Sequence, residues 1–187
     1  MEDHLEKGDL LKETQTGFTR GRRMADNIFM LKYIIEGSYR QSLPLFVIAV
    51  DFSKAFDSVK RGKLIEVMKQ YKIHPEIISF IANIYMNDET ELYINNESVT
   101  NIQVSSGIRQ GCNGSTLLFL LITYCIITYL ELNTRGFRNA ICRIVAIFFA
   151  DDGLQIAHSI EDAKIAIKAL IHISRECGLE INREKAI

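Results

Sequence analysis

The sequence predicts an α/β (α+β) fold in which helices pack on one face of a mostly antiparallel sheet, of the split βαβ or ferredoxin-like type. Three observations carry that expectation. Short Val- and Ile-rich runs alternate along the chain with stretches whose apolar residues recur at helical spacing. Two of those runs stop at carboxylates, LFVIAVD at Asp51 and RIVAIFF just ahead of Asp151 and Asp152. With 187 residues, 48% of them hydrophobic, the chain is long and apolar enough to bury the core of one domain.

Taken in order, residues 26 to 37 (DNIFMLKYIIEG) space apolar side chains as a helix does and stop at a glycine. Pro44 opens LFVIAVD, which reads as a central strand buried on both faces. An amphipathic helix around Leu64 to Tyr71 follows, then a second that starts near Pro75, since proline suits the first helical turn. Glu91 to Ile94 and Ile102 to Val104 read as a hairpin around the turn-prone NNES. A long apolar helix begins near Gly114 or Ser115. Its core run, Leu117 to Leu130, is 14 residues, short of the roughly 20 that span a bilayer, and so reads as a buried helix. Arg143 to Phe149 is a further buried strand, broken by ADDG and resumed as LQIA in a hairpin. Ser159 to Cys177 places Ile160, Ala163, Ile167, Leu170, Ile171 and Ile173 on one helical stripe ended by Gly178, and LEIN is a last short strand.

Composition narrows the function classes. A formal net charge of -1 and a pI near 6.4 give no global attraction to a polyanion, so any nucleic-acid contact must come from local patches. Cys112, Cys125, Cys142 and Cys177 show neither a CxxC pair nor the spacing of a disulfide or zinc framework, and read as reduced thiols. The polar start MEDHLEKGDLLKE lacks a secretory signal. An intracellular protein, nuclear or cytoplasmic, is expected.

The chemistry sits in the acids. Asp51 ends one buried strand, and Asp151 and Asp152 occupy the turn that leaves another. Carboxylates gathered at one place repel unless a cation lies among them, and hard oxygen ligands suit Mg²⁺. An Asp-Asp-Gly turn is also an ordinary way to close a hairpin, so these residues alone leave both readings open.

AVDFSKAFDSV, SSGIRQGCNGSTLLFLL and FFADDG, in this order, resemble the reverse transcriptases of group II introns and of retroelements lacking long terminal repeats. The resemblance extends upstream to QTGFTRGRRMADNIF and downstream to GLEINREKA, and covers nearly the whole chain. It implies a polymerase palm over residues 44–187 with a partial fingers segment over 1–43. The activity implied is RNA-directed DNA polymerisation, the transfer of deoxynucleotides to a primer 3′-hydroxyl on an RNA or DNA template. Two Mg²⁺ (or Mn²⁺) ions would be held by Asp51 and Asp151, with Asp152 as third acid and the Phe52 carbonyl completing a shell. The backbone of Lys54 and Ala55 would lie near the triphosphate, and Phe56 would exclude a ribose 2′-hydroxyl. Asp57 would be structural, a cap or turn contact.

Within the same resemblance, Gln110 and Gly111 border the nascent base pair, and Arg109 adds a template or phosphate contact. Gln15, Gly17, Phe18 and Arg22 match the QxGFxxxR block on the fingers side, with Arg22 the triphosphate contact. Lys185 would lie near the leaving pyrophosphate.

Three departures from the family pattern stand out. Gln110-Gly111-Cys112-Asn113-Gly114-Ser115-Thr116 replaces the usual QGCPLSP, Phe149 stands where tyrosine is more usual, and no thumb follows the last palm motif. The missing parts are expected in a longer parent protein with other retroelement domains. The alternative to an active enzyme is a catalytically inactive, retroelement-derived palm acting as a binding module or relic.

Overall fold

The structure, a computed structural model, describes residues 14–86, 89–95, 97–109, 111 and 114–182. Its centre is a three-stranded antiparallel sheet. The first strand, β1 (Phe46–Val50), follows helix α1 (Met24–Arg40), and a two-residue strand, β2 (Phe52–Ser53), comes directly after it. Three helices continue the chain, α2 (Ala55–Ser58), α3 (Arg61–Gln70) and α4 (Pro75–Met86), and lead into a hairpin of β3 (Glu89–Ile94) and β4 (Glu97–Gln103). The long helix α5 (Ser115–Asn133) is followed by the short strands β5 (Phe137–Arg138) and β6 (Arg143–Ile144). Then come β7 (Ala146–Phe149), β8 (Asp152–Ala157), helix α6 (Ile160–Cys177) and β9 (Glu180–Ile181). The main sheet runs β1-β8-β7, and β9 pairs with β2 just beyond the end of β1.

Side-chain alternation divides this sheet into two working faces. Val50, Ala146 and Phe148 point to the back, into a core shared with Leu118, Phe119, Leu121 and Ile122 of α5 and with Leu170, Ile173 and Cys177 of α6. Ile147 and Ile156 point to the front, where they meet Ile34 of α1 together with Phe137 and Ile144. The helices of the 44–187 segment therefore lie behind the sheet, while α1, from the first 43 residues, crosses the front.

Helix α5 is apolar on nearly every side because most of it is enclosed. Leu121, Ile122, Tyr124, Ile126, Ile127 and Leu130 are fully buried. By length and composition this helix is apolar enough to cross a membrane, but most of it is packed inside the protein. Helix α6 starts at Ser159, whose hydroxyl accepts from the Asp162 amide at 3.0 Å, and ends on Gly178 at φ +88°, as a left-handed cap requires.

Several sequence expectations shift. Helix α1 runs through Gly37 to Arg40 rather than stopping there. The glycine is needed for packing: a Cβ at Gly37 would stand 2.6 Å from the buried Phe137 ring. Strand β1 is an edge strand, paired only with β8, and it is not buried on both faces, Val47 being 38% exposed. The buried stripe of α6 is Ala166, Leu170, Ile173, Ser174 and Cys177, leaving Ile160 and Ile167 exposed. The segment 143–149 divides in two, since Arg143 and Ile144 pair with β5 before β7 joins the main sheet. The hairpin is present, with its second strand starting at Glu97 rather than Ile102. Cys125, Cys142 and Cys177 are free thiols, and Cys112 lies outside the described residues.

Gly37→Ala sets two effects against each other. It relieves the helix-interior penalty of glycine, about 1 kcal/mol, but drives a methyl into a packed ring, which costs about 1–3 kcal/mol. Net destabilisation is expected in urea unfolding, and Gly37→Ala with Phe137→Leu should recover part of it.

Candidate active site

The strand register brings the acids together. Val50 pairs with Gly153, so continuing one residue past the end of β1 sets Asp51 beside Asp152, both on the front face with Ala49 and Leu154. Side chains so opposed have Cβ atoms about 4.5–5.5 Å apart. Phe149 pairs with Asp152 and leaves Ala150 and Asp151 as the two central residues of the hairpin turn. Asp51, Phe149 and Asp152 line a cleft of about 510 Å³ whose far wall is Met24, Asn27 and Ile28 of α1.

The turn is held from outside. Ala150 sits at φ +59°, the sign that tight hairpin turns demand at their first central residue, at a cost of about 1–2 kcal/mol for a residue with a Cβ. The fully buried Gln15 side chain compensates: its Oε1 accepts from the Ala150 amide at 3.1 Å and its Nε2 donates to the Ala150 carbonyl at 3.1 Å. Oε1 also accepts from the Gly17 amide at 3.0 Å. A Cβ on Gly17 would fall 2.1 Å from the Ala150 nitrogen, so only glycine lets the two segments approach this closely. Gln15 bridges to Phe148 at the free edge of β7, where the Thr16 amide donates to the Phe148 carbonyl at 3.1 Å. Asn27 of α1 donates to that same carbonyl at 3.1 Å and accepts from the Thr16 hydroxyl at 2.9 Å. The QxGF segment and α1 are thereby fastened to the acid-bearing turn.

Asp51 is held from the other side. Asn182, just after β9, donates its main-chain amide to the Asp51 carbonyl at 2.8 Å and its Nδ2 to Asp51 Oδ2 at 2.9 Å.

Phe56 lies on α2 and is half-buried. Its ring stacks on Phe119 at 4.5 Å between centroids and 19° between planes, and meets the edge of Phe18 at 6.3 Å. Its main chain is also tied down: the Ile108 amide donates to the Phe56 carbonyl and the Gly107 amide to the Val59 carbonyl, each at 2.8 Å. Gly107, at φ +87°, presses against the Asp57 main chain where a Cβ would be 2.7 Å from its carbonyl oxygen. Arg61 secures the same loop, with Nε donating to the Gly107 carbonyl at 3.0 Å, one terminal nitrogen to the carbonyls of Tyr85 and Val104, and its guanidinium 5.0 Å from the Tyr85 ring centre. Asp57 meets this loop through its main chain, its carbonyl accepting from the Ser106 hydroxyl at 3.4 Å.

The remaining residues singled out by sequence are placed less closely. Phe52 is buried in β2, and Lys54, exposed at φ +48°, precedes the buried Ala55 at the start of α2. Arg22 is exposed in the loop between Gln15 and α1, two residues before the cleft-lining Met24. Arg109 is exposed, and its carbonyl accepts from the Ser115 hydroxyl. Gly111 is exposed at φ +84°. Gln110 and Lys185 lie outside the described residues. Sequence reasoning gave Asn182 no role and placed Gln15 only in a motif. Each contacts a partner more than 130 residues away, and no spacing rule encodes that.

Comparison with known proteins bears on the family and the fold. Residues 1–186 match the family described as reverse transcriptase (RNA-dependent DNA polymerase). The chain is 28% identical over 176 residues to a retrovirus-related Pol polyprotein from the type-1 retrotransposable element R2 of Nasonia vitripennis, covering 94% of this chain and 17% of that protein. It is 26% identical to the transposon TX1 149 kDa protein of Xenopus laevis, covering 84% of this chain and 12% of that one. The chain thus spans less than a fifth of either relative. Telomerase from Candida albicans, solved with a fragment of telomeric RNA, superposes over the whole chain and 33% of its own at TM-score 0.75 and 10% identity. Apo telomerase from Candida tropicalis does so over 34% of its chain at 0.71 and 14%. At such identities the likeness is one of fold, and the fold is that of a polymerase palm.

Gln15→Leu keeps the bulk but strands the buried amide and carbonyl of Ala150 and the buried amide of Gly17, each costing about 1–3 kcal/mol. A loss of roughly 3 kcal/mol or more in unfolding free energy is expected, with faster hydrogen exchange at the Ala150 amide.

Proposed function

This chain belongs to the reverse transcriptase (RNA-dependent DNA polymerase) family, and on that premise we propose that it is the palm (44–187), with part of the fingers (1–43), of an RNA-directed DNA polymerase from a retroelement lacking long terminal repeats. The observation that carries the proposal is the register that sets Asp51 and Asp152 on one face of a cleft, with Asp151 in the adjoining turn.

The donor set fits a divalent cation of the Mg²⁺ or Mn²⁺ class. Asp51 and Asp152 offer hard oxygens at the ends of adjacent strands, and the neutral side-chain amide of Asn182 donates to Asp51. Among the described residues no three His, Cys, Asp or Glu side chains form a metal cage by themselves. Mg²⁺ is commonly held by one or two carboxylates, with substrate phosphates and water completing its shell. Asp51, Asp151 and Asp152 would hold two ions, with the Phe52 carbonyl as a further ligand. When bound, the ions supply Lewis acidity to the attacking 3′-hydroxyl and charge stabilisation to the leaving pyrophosphate.

The chain's own residues do the positioning. The nascent base pair would lie in the cleft between the sheet and α1. Phe56, braced by Phe119 and Phe18, would lie under the incoming sugar, where a rigid ring excludes a 2′-hydroxyl. A sugar-excluding ring must not yield, and a stacked, main-chain-anchored Phe yields little. The backbone of Lys54 and Ala55 and the guanidinium of Arg22 would meet the triphosphate, with Lys185 near the pyrophosphate. Gln110 and Gly111 would border the base pair, and Arg109 would meet the template. Fixing the reactants in line supplies much of the rate without covalent work by the protein. Template, primer, deoxynucleoside triphosphates and a thumb from the longer parent protein are the partners implied, and an intracellular site of action follows from them.

Primer extension on an RNA template, by this chain and by a longer protein extending past Ile187, tests the reading. Extension that needs Mg²⁺ or Mn²⁺ and vanishes in Asp51→Asn and Asp151→Asn is expected; no extension by either wild-type protein would favour the inactive relic. Phe56→Val is expected to raise ribonucleotide use relative to deoxynucleotide use roughly 10- to 100-fold, the discrimination such a pocket contact provides.

A further inference from the structure

We infer that Asn182 is a positioning residue for Asp51, orienting its carboxylate for a divalent cation; this deepens the function proposed above and rests on it. The contact is double. The main-chain amide of Asn182 reaches the Asp51 carbonyl at 2.8 Å, and its Nδ2 reaches Asp51 Oδ2 at 2.9 Å. The main-chain bond, together with the pairing of Phe52 with Ile181 and Ser53 with Glu180, already docks β9 beside the acid. Docking the strand therefore does not require the side-chain bond, which acts on one carboxylate oxygen.

Fixing that oxygen has a specific consequence. A carboxylate turns about a broad torsion at its last bond, and holding Oδ2 fixes where Oδ1 points. The donor is also of the right kind. A lysine or arginine in the same place would neutralise Asp51 and compete with a cation, whereas a neutral amide leaves the full negative charge. Hydrogen-bonding partners of metal ligands act in this way, by setting orientation, and their loss typically costs 10- to 100-fold in metal affinity or activity. Asn182 and Gln15 are thus counterparts: one amide sets the carboxylate at the end of β1, the other sets the turn that carries Asp151 and Asp152.

The test is Mn²⁺ binding, followed by electron paramagnetic resonance on this chain and on Asn182→Ala, with thermal melting of both. Asn182→Ala is expected to weaken Mn²⁺ binding about tenfold while retaining a cooperative melt. Equal binding by a folded Asn182→Ala would overturn the inference and leave the polymerase reading intact, whereas no Mn²⁺ binding by the wild type would remove the metal site on which both depend. A second measurement needs no variant. In the wild type, the side-chain amide resonance of Asn182 should move on Mg²⁺ addition with the same midpoint as Mg²⁺ binding, and a resonance that stays fixed through saturation would refute the role.

Discussion

The pairing of β1 with β8 is the constraint from which the rest of the site follows. Side chains alternate across a sheet, so a slip of one residue would turn Asp51 or Asp152 away from the cleft and into the apolar back layer. The register is fixed by what lies behind it. Val50, Ala146 and Phe148 fill a core against α5 and α6, and no carboxylate could replace them there without a partner. The carboxylate geometry is therefore set by burial on the opposite face. Gly153 contributes directly, because the Phe148 ring lies where its Cβ would be, 2.5 Å away.

Against this framework the turn that carries the acids is strained. Holding Ala150 in a left-handed conformation beside Asp151 works against folding. Two amides from remote parts of the chain hold the arrangement, Gln15 on the turn and Asn182 on Asp51. Both are neutral. They restrain the acids without cancelling the charge that a cation would need. The aromatic group is built by the same logic, with Phe56 clamped by Phe119, Phe18 and the loop that Arg61 secures.

Much of this was legible in the sequence because burial and periodicity write themselves locally. The strand ending at Asp51, the ADDG hairpin, the enclosed helix after Gly114 and the Gly178 cap each follow from residues within one element. What was not legible depends on partners far along the chain. Gly37 reads as a helix stop until Phe137 is seen to fill the space beside it. The stripe of α6 was drawn through Ile160 and Ile167, which are exposed, because hydrophobicity alone does not say which of two adjacent faces meets the sheet. Strand β1 looked central because its residues are apolar on both sides, yet its front faces a cleft. Asn182 stood inside the GLEINREKA block with no role of its own, since an Asn after a short strand ordinarily marks a turn.

On the proposed function, Asp51 and the Asp151–Asp152 turn jointly hold divalent cations. Anomalous diffraction at the manganese edge from crystals grown with Mn²⁺ and a non-reactive deoxynucleoside triphosphate addresses it most directly. Manganese is expected between Asp51 and the 151–152 turn, with Asn182 still bonded to Asp51. Bound nucleotide with no manganese there, or manganese held only by residues elsewhere, would contradict it.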